Sequence, residues 1–187
     1  MTETPEPAGR GEPPRSDVES PATIRSENAS DVEVIAEVTR IAFEKLAVSQ
    51  HTEQFIIKAL RAAGALTVSL VAEIDGQVVG HVAFSPVTIS DGNAHWYGLG
   101  PASVLPQYQK RGIGSALIRE GLSRLKARRG EGCLLVGDPA FYQRLGFRHL
   151  PTLTLEGVPQ EYVLGLPFGE DIPRGTVVFH RAFSARS

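Results

Sequence analysis

The stretch Gln109-Lys110-Arg111-Gly112-Ile113-Gly114-Ser115-Ala116 has residue types and a spacing that suit the binding of an anion. An apolar run, Leu99-Gly100-Pro101-Ala102-Ser103-Val104-Leu105, leads into it and ends at Pro106. A short polar turn follows, and two glycines open a periodic helix. The first N–H groups of a helix have no partner inside it, and the aligned peptide dipoles make that end partly positive. Glycine lets the backbone approach a phosphate where a side chain would intrude. The order strand, glycine turn, helix therefore predicts a cradle for the pyrophosphate of a nucleotide-like cofactor. Lys110 and Arg111 flank it, and cations beside a phosphate form charge-assisted bonds.

The elements that position this cradle follow from the rest of the chain. Met1 to about Ala22 carries five prolines among Glu, Ser, Gly and Arg, with little to bury, and is expected to be a disordered leader. One domain is expected over 23–187. Thr23-Ile24-Arg25 reads as a short first strand. Ser30-Asp31-Val32-Glu33 reads as a capping box, ahead of Val34, Ile35, Val38, Ile41, Ala42 and Leu46 at helical spacing. A second helix is expected from Thr52 to about Gly64, with a pocket-covering loop over Glu44 to His51 between the two. Thr67 to Ile74 and Gln77 to Val87 flank Asp75-Gly76, a hairpin signal, and Pro86 is expected to stop the second strand. Trp96 to Leu105 completes an antiparallel meander. Gly98, Gly100 and Pro101 break that strand just before the cradle, which would leave backbone groups facing a ligand.

The helix behind the cradle buries Ile113, Ala116, Leu117, Leu122 and Leu125. Gly132 to Gly137 then reads as a short, wholly apolar strand, a buried parallel partner, completing a βαβ unit. Asp138-Pro139 starts a short helix, with Asp138 as N-cap, that ends at Gly146. Leu153 to Leu155 and Thr176 to His180 read as strands, and Pro159 to Ile172 as irregular. The fold class is α/β, with a mixed sheet.

Size and composition narrow the function. At 187 residues and 42% hydrophobic content the chain can bury a full core. A net charge of −2 gives no reason to expect nucleic-acid binding. The single cysteine, Cys133, fits a reducing compartment. No apolar run reaches the roughly 18 residues that cross a bilayer, and no apolar core of a signal peptide is found. A cytoplasmic protein with no membrane partner is the expectation. No histidine pair has the spacing of a zinc helix, so no metal is expected.

Three features together resemble the GNAT superfamily of acetyl-CoA-dependent N-acetyltransferases. Gln109-x-x-Gly112-x-Gly114 matches its Q/R-x-x-G-x-G/A signature. Val104-Leu105-Pro106 ahead and Ser115-Ala116-Leu117-Ile118 behind match its setting. Phe141-Tyr142-x-x-x-Gly146-Phe147 is similar to its tyrosine-bearing helix. Gly80 to Val87 and Val136-Gly137-Asp138-Pro139 further resemble the YhbS-like branch. The resemblance implies a strongly twisted mixed sheet whose two central parallel strands splay apart, flanked by helices, with acetyl-CoA between those strands. Ser103 and Val104, leading to Leu105, would pair with the pantetheine arm. The amides from Arg111 through Gly112, Ile113, Gly114 and Ser115 to Ala116 would wrap the pyrophosphate, with Gln109 opening the turn.

Acetyl transfer to an amine needs a neutral nitrogen, a polarised thioester carbonyl and a proton for the departing thiolate. An N–H of the broken strand near Val104 could polarise the carbonyl. Tyr142 matches the family position of the general acid; a phenol of pKa about 10 stays protonated at neutral pH. His81, His95, Glu73 and Glu44 are the candidate bases. Ser103 and Ser115 lack the G-x-S-x-G setting of a nucleophile, and Cys133 sits in an apolar strand, so the amine is expected to attack directly. A dinucleotide-dependent oxidoreductase is disfavoured, because the turn lacks G-x-G-x-x-G. The alternative is a CoA-binding sensor of the same fold without catalysis. The resemblance implies an unidentified small-molecule or peptide amine as acceptor, its pocket expected from Glu44 to His51 and Pro159 to Ile172, and by analogy a homodimer through the last strands.

Overall fold

The computed structural model describes residues 21–47 and 49–187. Most of the expected leader, residues 1–20, lies outside them. Ala22, assigned to that leader, packs against the main core. β1 (Thr23–Ser26) pairs antiparallel with β2 (Val68–Ile74), β2 with β3 (Gln77–Ile89), and β3 with β4 (Trp96–Val104). Asp75 and Gly76 turn the first hairpin at φ of 49° and 79°, the mirror-image turn whose twist matches that of the strands.

β3 does not stop at Pro86 but runs on to Ile89. Its pairing with β2 ends at Phe84, and its pairing with β9 (Gly175–Phe179) starts at Val87. Pro86 thus occupies an edge position between two partners, where a missing N–H is tolerated.

α1 (Val32–Phe43) and α3 (Ile113–Ala127) lie on opposite faces of the sheet. Successive strand residues point to opposite sides. Gly80 and Phe84 face α3, where a Cβ on Gly121 would run into the Phe84 ring. Ser103, paired across the ladder with His81, meets Thr39 of α1 at 3.2 Å. α2 (Glu53–Ala62) packs on α1. The capping box ahead of α1 sits earlier than expected. Asn28 accepts from the Ser30 amide at 2.9 Å, and Asp31 accepts from the Asn28 amide at 2.8 Å. Asp31 is buried against Arg25, and that pairing sets where the turn begins. The helix ends at Phe43, leaving Leu46 exposed beyond it.

β4, α3 and β5 (Gly132–Val136) form the βαβ unit, with β4 and β5 parallel. β5 is flanked on its other edge by β8 (Val163–Pro167), and β8 by β6 (Arg148–His149). α4 (Pro139–Tyr142) follows β5, and β7 (Leu153–Thr154) lies beside β9. The segment 159–172 was expected to be irregular, yet it contains β8. Gly165 and Pro167 read locally as breakers. In the fold a Cβ on Gly165 would run into Leu150, so glycine meets a packing need there, and Pro167 ends the strand.

The ladder between β4 and β5 covers Trp96, Tyr97 and Gly98 against Gly132, Cys133 and Leu134, and then the strands part. A register shift between β3 and β4 falls beside Gly100, whose φ of 140° few other residues adopt. The edge of β4 from Leu99 to Val104 is therefore left facing a gap. This is the expected mixed sheet with splayed parallel strands.

Candidate active site

The cradle is built from backbone. Lys110 and Gly112 take positive φ, 61° and 80°, folding the turn back under the start of α3. The first helical bond runs from the Ala116 amide to the Gly112 carbonyl at 2.9 Å. The amides of Ile113, Gly114 and Ser115 precede that bond and have no helical carbonyl to meet. Gln109 braces the turn, its Nε2 donating to the Val104 carbonyl at 2.9 Å. Ser103, Val104, Gln109, Gly112, Ile113, Gly114 and Ser115 all line one cavity of about 810 Å³. Three other candidates lie off its wall. Leu105 turns into the core, its amide bonded to Val79 at 2.9 Å. Ala116 spends its amide on the helix. The Arg111 guanidinium lies over the Tyr108 ring, 5.4 Å from its centre.

Tyr142 sits where this cavity meets a second one, of about 730 Å³. Both Tyr142 and Ala102 belong to both walls. Asp138 starts α4 by accepting from the Ala140 amide at 2.9 Å, with Pro139 pre-set for the first turn. Gly137 leaves room for the tyrosine ring, since a Cβ there would run into it. Phe141 and Phe147 hold the ring edge-on, at centroid distances of 4.9 and 5.9 Å. Its hydroxyl bonds no other described residue. Burial, with a contribution from Cys133, pushes the phenol up to about 12. Cys133 is itself fully buried, and burial pushes its thiol far above the ordinary range, so it supplies no nucleophile.

The four candidate bases are dispersed. Glu73 is paired with Arg25 at 2.8 Å, Glu44 is exposed near Arg40, and His95 is exposed ahead of β4; none of the three lines either cavity. His81 backs the first cavity but is fully buried. Its Nε2 lies 2.7 Å from Ser69 Oγ, which donates to Glu27 at 2.6 Å, and Arg61 holds the same carboxylate at 2.8 Å. Ser69 has one proton and gives it to Glu27, so His81 donates through Nε2 and Nδ1 is a bare, unpartnered acceptor. Burial holds this imidazole below its usual pKa against the opposing pull of Glu27. Burial alone would raise the Glu27 carboxyl. The nearby His81 ring, its Nε2 3.6 Å away, and hydrogen bonds from Arg61 and Ser69 outweigh it and hold the group well below the carboxylate range. The cluster ties β2 and β3 to α2.

The second cavity draws on α1, α2, β4, the segment after β7 and the C-terminal turn, with Phe43, Glu53, Leu155, Phe179 and Phe183 in its wall. None of these was singled out from sequence, because each lies far from the others along the chain. The expected contributors differ: the described part of Glu44 to His51 supplies Leu46 to the first cavity, and Pro159 to Ile172 supplies neither.

Residues 66–149 match the family described as Acetyltransferase (GNAT) domain. The uncharacterized N-acetyltransferase YhbS of Escherichia coli K12 is 38% identical over 125 residues, 66% of this chain and 72% of the relative. A GNAT family acetyltransferase of Brucella melitensis, solved in complex with acetyl-CoA, is 49% identical with a TM-score of 0.78, covering 87% of this chain and 97% of that one. The Escherichia coli YhbS structure, in complex with CoA, superposes with a TM-score of 0.82 at 29% identity, covering 99% and 98%. Among the described residues no helix is long and apolar enough to cross a membrane.

Proposed function

Because the chain belongs to the GNAT family of N-acetyltransferases, we propose that it moves an acetyl group from acetyl-CoA directly to a primary amine of a small molecule or peptide, with Tyr142 as proton donor to the leaving sulfur. The observation that carries this reading is that Tyr142 stands in the walls of both cavities. A donor entering from one side and an acceptor from the other would meet at its hydroxyl.

The first cavity suits acetyl-CoA on physical grounds. The unpartnered amides of Ile113, Gly114 and Ser115, at the positive end of a long helix, match a pyrophosphate. The edge of β4 at Ser103 and Val104 lines this cavity and would let an amide-bearing arm pair with it as an added strand does, with the Val104 carbonyl already accepting from Gln109. The molecule would supply the acyl group as an activated thioester. An N–H on that edge would polarise the carbonyl. As the C–S bond breaks the sulfur takes the Tyr142 proton, and the proton shed by the attacking nitrogen restores the phenol through solvent. A phenol pushed up to about 12 is a weak acid. The sulfur would leave beside the same partly buried ring, where loss of water would raise its basicity as well.

Tyr142→Phe tests the assignment. Turnover, read as free thiol released over a panel of amines, should fall by about 10²–10⁴-fold, while acetyl-CoA binding by calorimetry stays at the native value. An unchanged rate across pH removes Tyr142 as the acid. Binding without thiol release from any amine would make the chain a CoA sensor, and no binding would overturn the reading.

A further inference from the structure

We propose that the second cavity selects a primary amine carried on an apolar, ring-sized body, that it enters as the ammonium, and that the Glu53 carboxylate holds the nitrogen and passes one of its protons to solvent, leaving the neutral amine that attacks. This rests on the acetyl-transfer reading of the site. Glu53 is the first residue of α2, and its side chain stands in the cavity wall. One carboxylate oxygen, Oε1, accepts from Ser49 Oγ at 2.6 Å. The other, Oε2, is buried and has no donor. A buried charged oxygen without a hydrogen bond is costly. The terminal torsion of glutamate is soft, and rotation about it, with the Ser49 hydroxyl following Oε1, would turn that oxygen toward the cavity.

What surrounds it is apolar. Phe43 and Ile56 flank it from the helices, and Phe179 and Phe183 form an edge-on pair with centroids 5.0 Å apart. The other charged groups in the wall are not equivalent to Glu53. Glu156 and Arg181 are exposed, and the His180 ring accepts from the Ala182 amide at 3.2 Å. A lone carboxylate oxygen lacking a donor, inside a box of phenyl and aliphatic groups, complements a cationic N–H on an apolar body. It does not complement a phosphate, a sugar or an evenly charged polyamine. The volume, about 730 Å³, is in the range of small-molecule sites.

The test uses 2-phenylethylamine, spermidine and the dipeptide Gly-Gly as acceptors with saturating acetyl-CoA, and thiol release as the readout. 2-Phenylethylamine should have the lowest KM of the three. Glu53→Gln should raise that KM by tenfold or more and leave acetyl-CoA affinity unmoved, and Glu53→Asp should recover part of the loss. An unchanged KM in Glu53→Gln, or a preference for spermidine or the dipeptide, overturns the inference. Calorimetry on the CoA-loaded chain separates this from failure of the underlying reading. If no amine is turned over, acetyl transfer is overturned. 2-Phenylethylamine binding at least tenfold tighter than 2-phenylethanol would still support the pocket, and equal binding would overturn it.

Discussion

The two cavities that meet at Tyr142 are similar in size but made of different material. The first cavity takes much of its wall from the one stretch between Ser103 and Ser115, Leu105 and Arg111 not among the lining residues, and what the turn and helix start in that stretch offer is mostly peptide groups. The acceptor-side cavity is walled by side chains from elements far apart in the chain, with Phe43, Glu53, Leu99, Leu155 and Phe183 among them. A backbone site tolerates many side chains but not a change in chain geometry. A side-chain site has the opposite sensitivity. On the proposed reading, one cavity would grip the cofactor and the other would choose the acceptor.

Substitutions can break or sharpen that contrast. The largest effect is expected at Gly114. A Cβ there meets only Val104, at an ordinary 3.7 Å, so Gly114→Leu should fold while its side chain fills the cradle. Each hydrogen bond lost to a charged group costs about 1.5–3 kcal/mol, so acetyl-CoA affinity by calorimetry should fall by about a hundredfold. Near-native binding would show that the grip is not made of backbone. An intermediate effect is expected at Phe183. Phe183→Ala removes one ring of the acceptor wall, and losing buried aromatic area should raise the KM for the amine by about tenfold, with acetyl-CoA affinity unmoved. A change in both constants would mean that the cavities are not independent. The smallest effect is expected at Arg111, whose guanidinium stacks on Tyr108 rather than facing the cavity. Arg111→Ala keeps the amide and should change acetyl-CoA affinity by less than about threefold, the scale of an exposed ionic contact. A larger loss would give the side chain a share of the grip.

The same contrast explains which parts of the molecule were legible in one dimension. The cradle was legible because its requirements are local: two positive-φ positions, a helix start, and a strand broken just ahead. The Asp75-Gly76 hairpin and the Asp138-Pro139 helix start were legible for the same reason. Pro86 and Gly165 were misread as breakers. Whether a missing N–H or a missing Cβ matters depends on the neighbouring strand or on Leu150, and neither is close in sequence. His81 drew notice as a candidate base, because a polar residue in a strand looks available until its burial against Ser69 and Glu27 is seen.

By itself the sequence determined the order of strands and helices from β1 to α4, the turn that opens α3, the placement of Tyr142 on a short helix, and the family. All of these rest on backbone preferences and on motifs within a few residues of one another. The tertiary structure alone decided that β4 and β5 part after Gly98, that Tyr142 lies at the junction of two cavities, and that Glu53 shares a wall with Phe183. Those are consequences of packing between segments remote in the chain, where the energy of a contact belongs to a pair of residues and neither one carries a local mark of it.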